Sequence, residues 1–218
     1  RRFLTRRASA EGVVRTGGGK GEGGERCVDL GNGTGAAGDV NGDGYDDLAS
    51  GTNWSAPYVV SILHGSPEGP GAPTAAIGLE HWNFPVVGAG DVNGDGFDDL
   101  LFGDPLYGRI YPGSYGRGRV LLYMGSAAGV AATPAWSFEG DRNGAGLGGT
   151  VASAGDVNGD GYADILAGAP NYDYGAGYAF GFLGSPQGPA GTPHWVSWRR
   201  GGGAAAAVGD VNGDGFGD

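Results

Sequence analysis

A nine-residue pattern recurs four times, at Asp39–Asp47, Asp91–Asp99, Asp156–Asp164 and Asp210–Asp218. Each copy reads D-V-N-G-D-G, then an aromatic residue, a variable residue and a closing Asp. Oxygen-bearing side chains at alternate positions, with glycine at the sixth, let a short backbone segment wrap a hard cation. The copies begin at residues 39, 91, 156 and 210, which are 52, 65 and 54 residues apart. Periods of this size belong to propeller or solenoid units, so the chain is a repeat array.

In the first loop the expected donors are the side chains of Asp39, Asn41, Asp43 and Asp47 and the carbonyl of Tyr45. The corresponding sets are Asp91, Asn93, Asp95, Phe97 and Asp99, then Asp156, Asn158, Asp160, Tyr162 and Asp164. The last is Asp210, Asn212, Asp214, Phe216 and Asp218. Three carboxylates and one amide per loop, all oxygen, favour calcium over zinc or copper, one ion per loop and up to four in the chain. The eighth position varies (Asp46, Asp98, Ala163, Gly217), as expected of a non-ligand. A helix-loop-helix calcium site closes with Glu at its twelfth position. Here that position holds Ser50, Phe102 or Ala167, and a strand pattern follows. Four complete copies also argue against plain Asp/Asn/Gly turns. Loops repeated once per unit, away from any catalytic group, are read as mainly structural calcium sites.

The 51 glycines and 12 prolines would suggest disorder if they had no period. Here they recur in phase, as turn residues between short strands. After each complete loop comes an apolar run: Leu48–Gly51, Leu100–Gly103 and Ile165–Gly168. A second strand pattern follows at Tyr58–Leu63, Arg119–Met124 and Tyr178–Leu183, closed by Gly-Ser-x-x-Gly turns beginning at Gly65, Gly125 and Gly184. A tryptophan segment comes next, at Trp82, Trp136 and Trp195. Four short segments per repeat, rich in β-branched and aromatic residues, predict an all-β fold of four-stranded antiparallel blades. One such sheet is too small to bury its faces alone and must stack on its neighbours. Arg119–Met124 is apolar on both faces, as a strand sandwiched between blades should be.

Seven of the thirteen basic residues fall in Arg1–Cys27, giving that segment a charge of +4, whereas Val28 onward carries −15. Residues 1–27 are therefore read as a basic, Gly-rich, disordered leader, and 28–218 as a propeller fragment. Its approximate blades are 28–84, 85–139, 140–198 and the partial 199–218: about three blades and the start of a fourth. The acidity lies mostly at ligand positions and disfavours a nucleic-acid partner. A single cysteine, Cys27, excludes an intrachain disulfide, leaving bound metal as an alternative source of stability. No run approaches the roughly 18 apolar residues of a membrane span. The chain lacks an initiator Met and stops on a ligand position, so it is read as a piece of a longer protein that supplies the remaining blades.

Nothing points to catalysis. His81 and His194 each precede a repeat tryptophan and read, with His64, as repeat residues. No Gly-x-Ser-x-Gly elbow or zinc-protease His pair occurs. Trp82, Trp136 and Trp195 are expected to pack between blades, and Trp54 and Trp198 to be freer for contacts. The segments Leu106–Pro112 and Pro170–Gly175 place aromatic and polar tips on long connections, where recognition would sit.

These residues resemble the FG-GAP repeat family, the blades of the integrin α-subunit head. The third copy carries the resemblance best: Leu147-Gly148 stands for the Phe-Gly element, Asp156–Asp164 for the calcium loop and Gly168-Ala-Pro170 for the Gly-Ala-Pro element. The second copy has Gly103-Asp-Pro105 and the first Gly51-Thr-Asn53. The resemblance implies a seven-bladed propeller outside the cell, with calcium in hairpin loops on one face and a role in adhesion or ligand binding. It therefore implies a non-catalytic, extracellular or cell-surface (secreted) module, with a protein or glycan ligand as partner. The Ala- and Gly-rich, abbreviated blades look more like a bacterial member than an animal receptor. Two other functions fit the same repeats: an accessory propeller of a secreted hydrolase of the phospholipase D type, and a purely structural spacer.

Overall fold

The computed structural model describes residues 13–16, 27–30, 34–51, 58–81 and 85–198. Two short strands, β1 (Val13–Thr16) and β2 (Cys27–Leu30), pair in parallel. The rest of the segment read as a leader lies outside the described residues, as does the partial unit 199–218 with the fourth loop.

From Thr34 on, the described residues form three four-stranded sheets, each a consecutive antiparallel meander. The first is β3 (Thr34–Gly38), β4 (Asp47–Gly51), β5 (Tyr58–Leu63) and β6 (Pro73–Leu79). The second is β7 (Val86–Gly90), β8 (Asp99–Asp104), β9 (Arg119–Tyr123) and β10 (Trp136–Glu139). The third is β11 (Thr150–Gly155), β12 (Asp164–Ala169), β13 (Tyr178–Phe182) and β14 (Trp195–Trp198), with one helical turn, α1 (Tyr172–Gly175), between β12 and β13. The chain is thus nearly all-β, and its sheets are blades of an incomplete propeller.

Each sheet is held by its neighbours, through strands that are apolar on both faces. Leu100 and Phe102 of β8, with Leu121 and Tyr123 of β9, pack against Ala37, Val40, Ala49, Val60 and Ile62 of the first blade. The alternate residues Leu101, Val120 and Leu122 join Val151, Ile165, Ala167 and Phe182 of the third blade. The period of two sends successive side chains into two different interfaces. Fully burying a Leu or Phe stabilises by roughly 1.5–3 kcal/mol, so these shared faces supply most of the cohesion. At the second junction Trp136 meets Phe182 edge-on at 5.0 Å, and Phe138 meets it at 4.9 Å.

The tryptophan phase holds in two blades and fails in the first. Trp136 lies opposite Leu122 and Trp195 opposite Gly181, but the matching position opposite Ile62 is Ala75. The first blade's fourth strand ends at Leu79, and Trp82 lies outside the described residues. The spacing carried the signal, because Trp82 follows its turn glycine by 17 residues where Trp136 and Trp195 follow theirs by 11. Trp136 packs between blades as expected. Trp195 lies against Gly181 and is 38% exposed. Trp54 and the side chain of Trp198 lie outside the described residues.

The Leu147-Gly148 element sits at the junction of the second and third blades. Leu147 is buried and its N–H donates to Arg117 O, while Gly148 N–H donates to Gly168 O. Gly103 packs directly on the Gly148 backbone, leaving no room for a side chain at either position.

Candidate metal centre

Each of the three described D-V-N-G-D-G loops is the hairpin connection between the first and second strands of its blade. All three first strands carry a register shift just before the loop, at Ala36/Gly38, Gly88/Gly90 and Ser153/Gly155. The bulge glycines have positive φ (77°, 79° and 70°), which turns the strand end into the loop.

Inside the first loop the side chains fold back on their own backbone. Asp43 N–H donates to both Asp39 Oδ1 and Asn41 Oδ1 at 3.0 Å, and Gly44 N–H donates to Asp39 Oδ2 at 2.8 Å. Tyr45 N–H donates to Asp43 Oδ1 at 3.0 Å, and Asn41 Nδ2 donates to Asp43 Oδ2 at 2.9 Å. The same bonds join Asp91, Asn93, Asp95, Gly96 and Phe97 in the second loop. They recur among Asp156, Asn158, Asp160, Gly161 and Tyr162 in the third. Positions one, three and five are thereby drawn to one side of each hairpin. Asp210, Asn212, Asp214, Phe216 and Asp218 lie outside the described residues.

The ninth-position carboxylates are the buried ones: Asp47 and Asp99 are 0% exposed and Asp164 is 2%. Each accepts from the loop's second residue and from the Gly-Ser turn one hairpin further on. Asp99 takes Val92 N–H on Oδ2 and Gly125 N–H on Oδ1, both at 3.0 Å. Asp47 takes Val40 and Gly65, and Asp164 takes Val157 and Gly184. This Asp is thus a staple between two turns as well as a donor candidate, a double role the motif alone does not reveal. In the first loop alone, His64 Nδ1 also lies 3.2 Å from Asp47 Oδ2; Met124 and Leu183 occupy that position in the other blades.

Electrostatics separates the second and third loops from ordinary turns. Asp99 is pushed up to about 7, first by burial and then by the charges of Asp95 and Asp91, against the two backbone donors that lower it. Asp164 is raised for the same reasons, with Asp160 and Asp156 as its neighbours. An oxygen-only set of three carboxylates and an amide, with a buried member that resists ionisation beside like charges, fits a hard divalent cation. Positions one, three, five and nine of each described loop are the residues that could hold it.

Consecutive loops also touch, through positions the ligand pattern leaves out. Asp98 N–H donates to Asp39 O at 3.0 Å, while Asp39 N–H donates to Asp98 Oδ2 at 2.8 Å. Ala163 N–H repeats the first bond to Asp91 O at 2.9 Å. The eighth position is therefore fixed through its backbone in both loops, and in the second loop through the Asp98 carboxylate as well. Ser126 and Ser185 of the Gly-Ser turns donate in the same way to Val40 O and Val92 O of the preceding loop.

The histidines do not converge on one another. His64 belongs to the first loop, His81 faces Asp104 at the other end of β8, and His194 N–H closes a turn to Gly181 O. Among the described residues no helix is long and apolar enough to cross a membrane.

Side-by-side four-stranded blades with an oxygen-rich hairpin at the same corner of each define a class of propeller repeats. The FG-GAP repeat model matches residues 84–123 and 148–181, and the FG-GAP-like repeat model matches 39–102. The chain belongs to the FG-GAP repeat family. It is similar to integrin alpha-PS2 of Drosophila melanogaster, 40% identical over 114 residues, covering 49% of this chain and 8% of that protein. Similarity also extends to integrin alpha-4 of Xenopus laevis, 37% identical over 86 residues, covering 39% of this chain and 8% of that protein. A third relative is integrin alpha-IIb of Mus musculus, 31% identical over 152 residues, covering 60% of this chain and 14% of that protein. The chain thus spans 8% to 14% of the length of these relatives.

Proposed function

We propose that the chain is a non-catalytic, calcium-stabilised module of an extracellular or cell-surface propeller that binds a protein or glycan ligand. The observation that carries this reading is one loop geometry built three times in a chain whose relatives are integrin α subunits. Calcium at Asp39, Asn41, Asp43 and Asp47, and at the equivalent positions, pins each hairpin and relieves the crowding of its carboxylates. The carbonyls of Tyr45, Phe97 and Tyr162 complete the set. The ligand meets the opposite end of the blades. There the β8–β9 and β12–β13 connections expose Ile110, Tyr111, Tyr115 and Tyr174. The Asp173-Tyr174 pair has φ of 51° and 60°, a left-handed conformation that non-glycine residues adopt at a cost and that concentrates at binding sites.

Chelation of the chain with EDTA is expected to lower its Tm by many degrees, with recovery on adding calcium and less recovery with magnesium. Unchanged melting removes the calcium role. Calorimetric titration should count up to four sites, one per loop in the sequence. For the ligand, panels of glycans and secreted proteins should yield a binder that the wild type holds and a Tyr111→Ala, Tyr174→Ala double variant does not. No binder in either panel reduces the module to a spacer.

A further inference from the structure

Asp104 breaks the repeat in the wrong place for an acid. It occupies the middle of Gly103-Asp-Pro105, where the third blade has Ala169, and it is as buried as that alanine, at 1% exposed. A carboxylate is carried into a protein interior only with partners. In the third blade the pair across the strands is Ala169 and Tyr178; in the second it is Asp104 and Arg119. Arg119 Nε donates to Asp104 Oδ2 at 3.1 Å and Nη2 to Glu80 Oε2 at 2.9 Å, while Tyr107 stacks 4.0 Å below the guanidinium. One guanidinium thus serves two carboxylates and leaves a negative charge over.

The remaining oxygens converge. His81 Nδ1 lies 3.1 Å from Asp104 Oδ1 and 3.2 Å from Oδ2, with hydrogen-bond geometry satisfied only toward Oδ2. Asp104 Oδ1 is consequently buried without a hydrogen-bond partner. One ligand atom each from Glu80, His81 and Asp104 falls within 4.8 Å of the others. We propose that Glu80, His81 and Asp104 form a second cation site, distinct from the loops in position and chemistry, that takes a zinc-class transition ion. Imidazole with two carboxylates is a borderline-soft set suited to zinc rather than calcium. Each carboxylate presents one oxygen to the ion while Arg119 holds the other from outside, the orienting arrangement common around bound zinc. The site lies at the end of β8 opposite the calcium loops, next to the exposed β8–β9 connection. A three-ligand site there keeps a coordination position open, which a carboxylate or imidazole from a partner could fill.

The test is a zinc titration of the full chain by calorimetry, in saturating calcium so that the loops are filled, with cobalt absorption as a report on coordination. Wild type should take up one zinc and give visible cobalt bands of low coordination number. His81→Ala should weaken zinc by at least about 10–100-fold, the loss seen even when only a supporting residue is removed, and leave the calcium titration unchanged. Asp104→Ala, which installs the residue of the third blade, should fold and lose the site as well. Equal zinc affinity in wild type and His81→Ala, or no zinc uptake by wild type, overturns the proposal and leaves a completed ion-pair cluster.

Discussion

The ring of Phe97 lies over Gly42, so close that a Cβ on that glycine would stand 2.7 Å from Phe97 Cε1. Tyr162 covers Gly94 in the same way, at 2.6 Å. The seventh residue of one loop is thus a lid on the fourth residue of the loop before it. Gly42 and Gly44 both have positive φ, 73° and 88°, but a Cβ on Gly44 meets nothing within 4 Å. Gly44→Ala should therefore lose only about 1–2 kcal/mol for the left-handed backbone. Gly42→Ala should lose that and a further ~1–3 kcal/mol for displacing the ring. Urea denaturation in calcium separates the two; equal losses would mean that the ring swings aside freely.

Asp99→Ala is expected to destabilise even the calcium-free protein. It strips Val92 N–H and Gly125 N–H of their acceptor in a buried setting, at about 1–3 kcal/mol each. Denaturation in EDTA measures this directly. A loss seen only in calcium would make the carboxylate a ligand and nothing more.

Calcium-free protein should also lose stability as pH rises from about 4 to about 7. Native Asp99 keeps its proton up to about 7, whereas the unfolded chain releases it near the ordinary aspartate value of about 4. Within that window the native state binds more protons, so the site's contribution falls with rising pH and levels off above it. Asp98 and Asp164 shift the same way, burial being the first cause in each. Calcium favours the ionised carboxylates and should flatten the decline. Carboxyl carbon shifts followed by NMR in EDTA check it; an Asp99 midpoint in the usual range contradicts it.

Phe182→Ala should cost about 3–5 kcal/mol, because the ring is 1% exposed and touches Trp136 and Phe138 across the blade junction. Tyr111→Ala, at a 71% exposed position, should stay within about 0.5 kcal/mol of wild type. Thermal melts of the two variants give the contrast, and a comparable loss at Tyr111 would show that its connection is part of the core.

The loops and the strands after them were legible because their chemistry is local. A hairpin that needs oxygens at alternate positions and glycine where φ is positive must spell those residues out, and Asp47, Asp99 and Asp164 mark both loop end and strand start. Arg119–Met124 was legible for a related reason, since two apolar faces leave no polar alternation to misread. What stayed hidden lies between repeats. Asp98 reads as free in the pattern because its amide bond is one any residue supplies, and its carboxylate's bond to Asp39 N–H joins two loops far apart in sequence. Trp82 has the apparent phase of a fourth-strand tryptophan because it follows a Gly-Ser turn, whereas register with β5 places Ala75 there. Asp104 gives a signal, an acid in an otherwise Gly-Ala-Pro triplet, but its partners come from two distant places in the chain, Glu80 and His81 just after β6 and Arg119 on β9.

Successive blades are joined at the loop corner by carbonyls and amides: Asp39 O and Val40 O on one side, and Asp98 N and Ser126 N on the other. Such couplings are indifferent to side-chain identity. A unit copied or deleted by recombination would still find matching atoms on whatever unit it came to adjoin. The number of blades can then drift over evolutionary time with little redesign, while the exposed connections at the far end diverge independently in each copy.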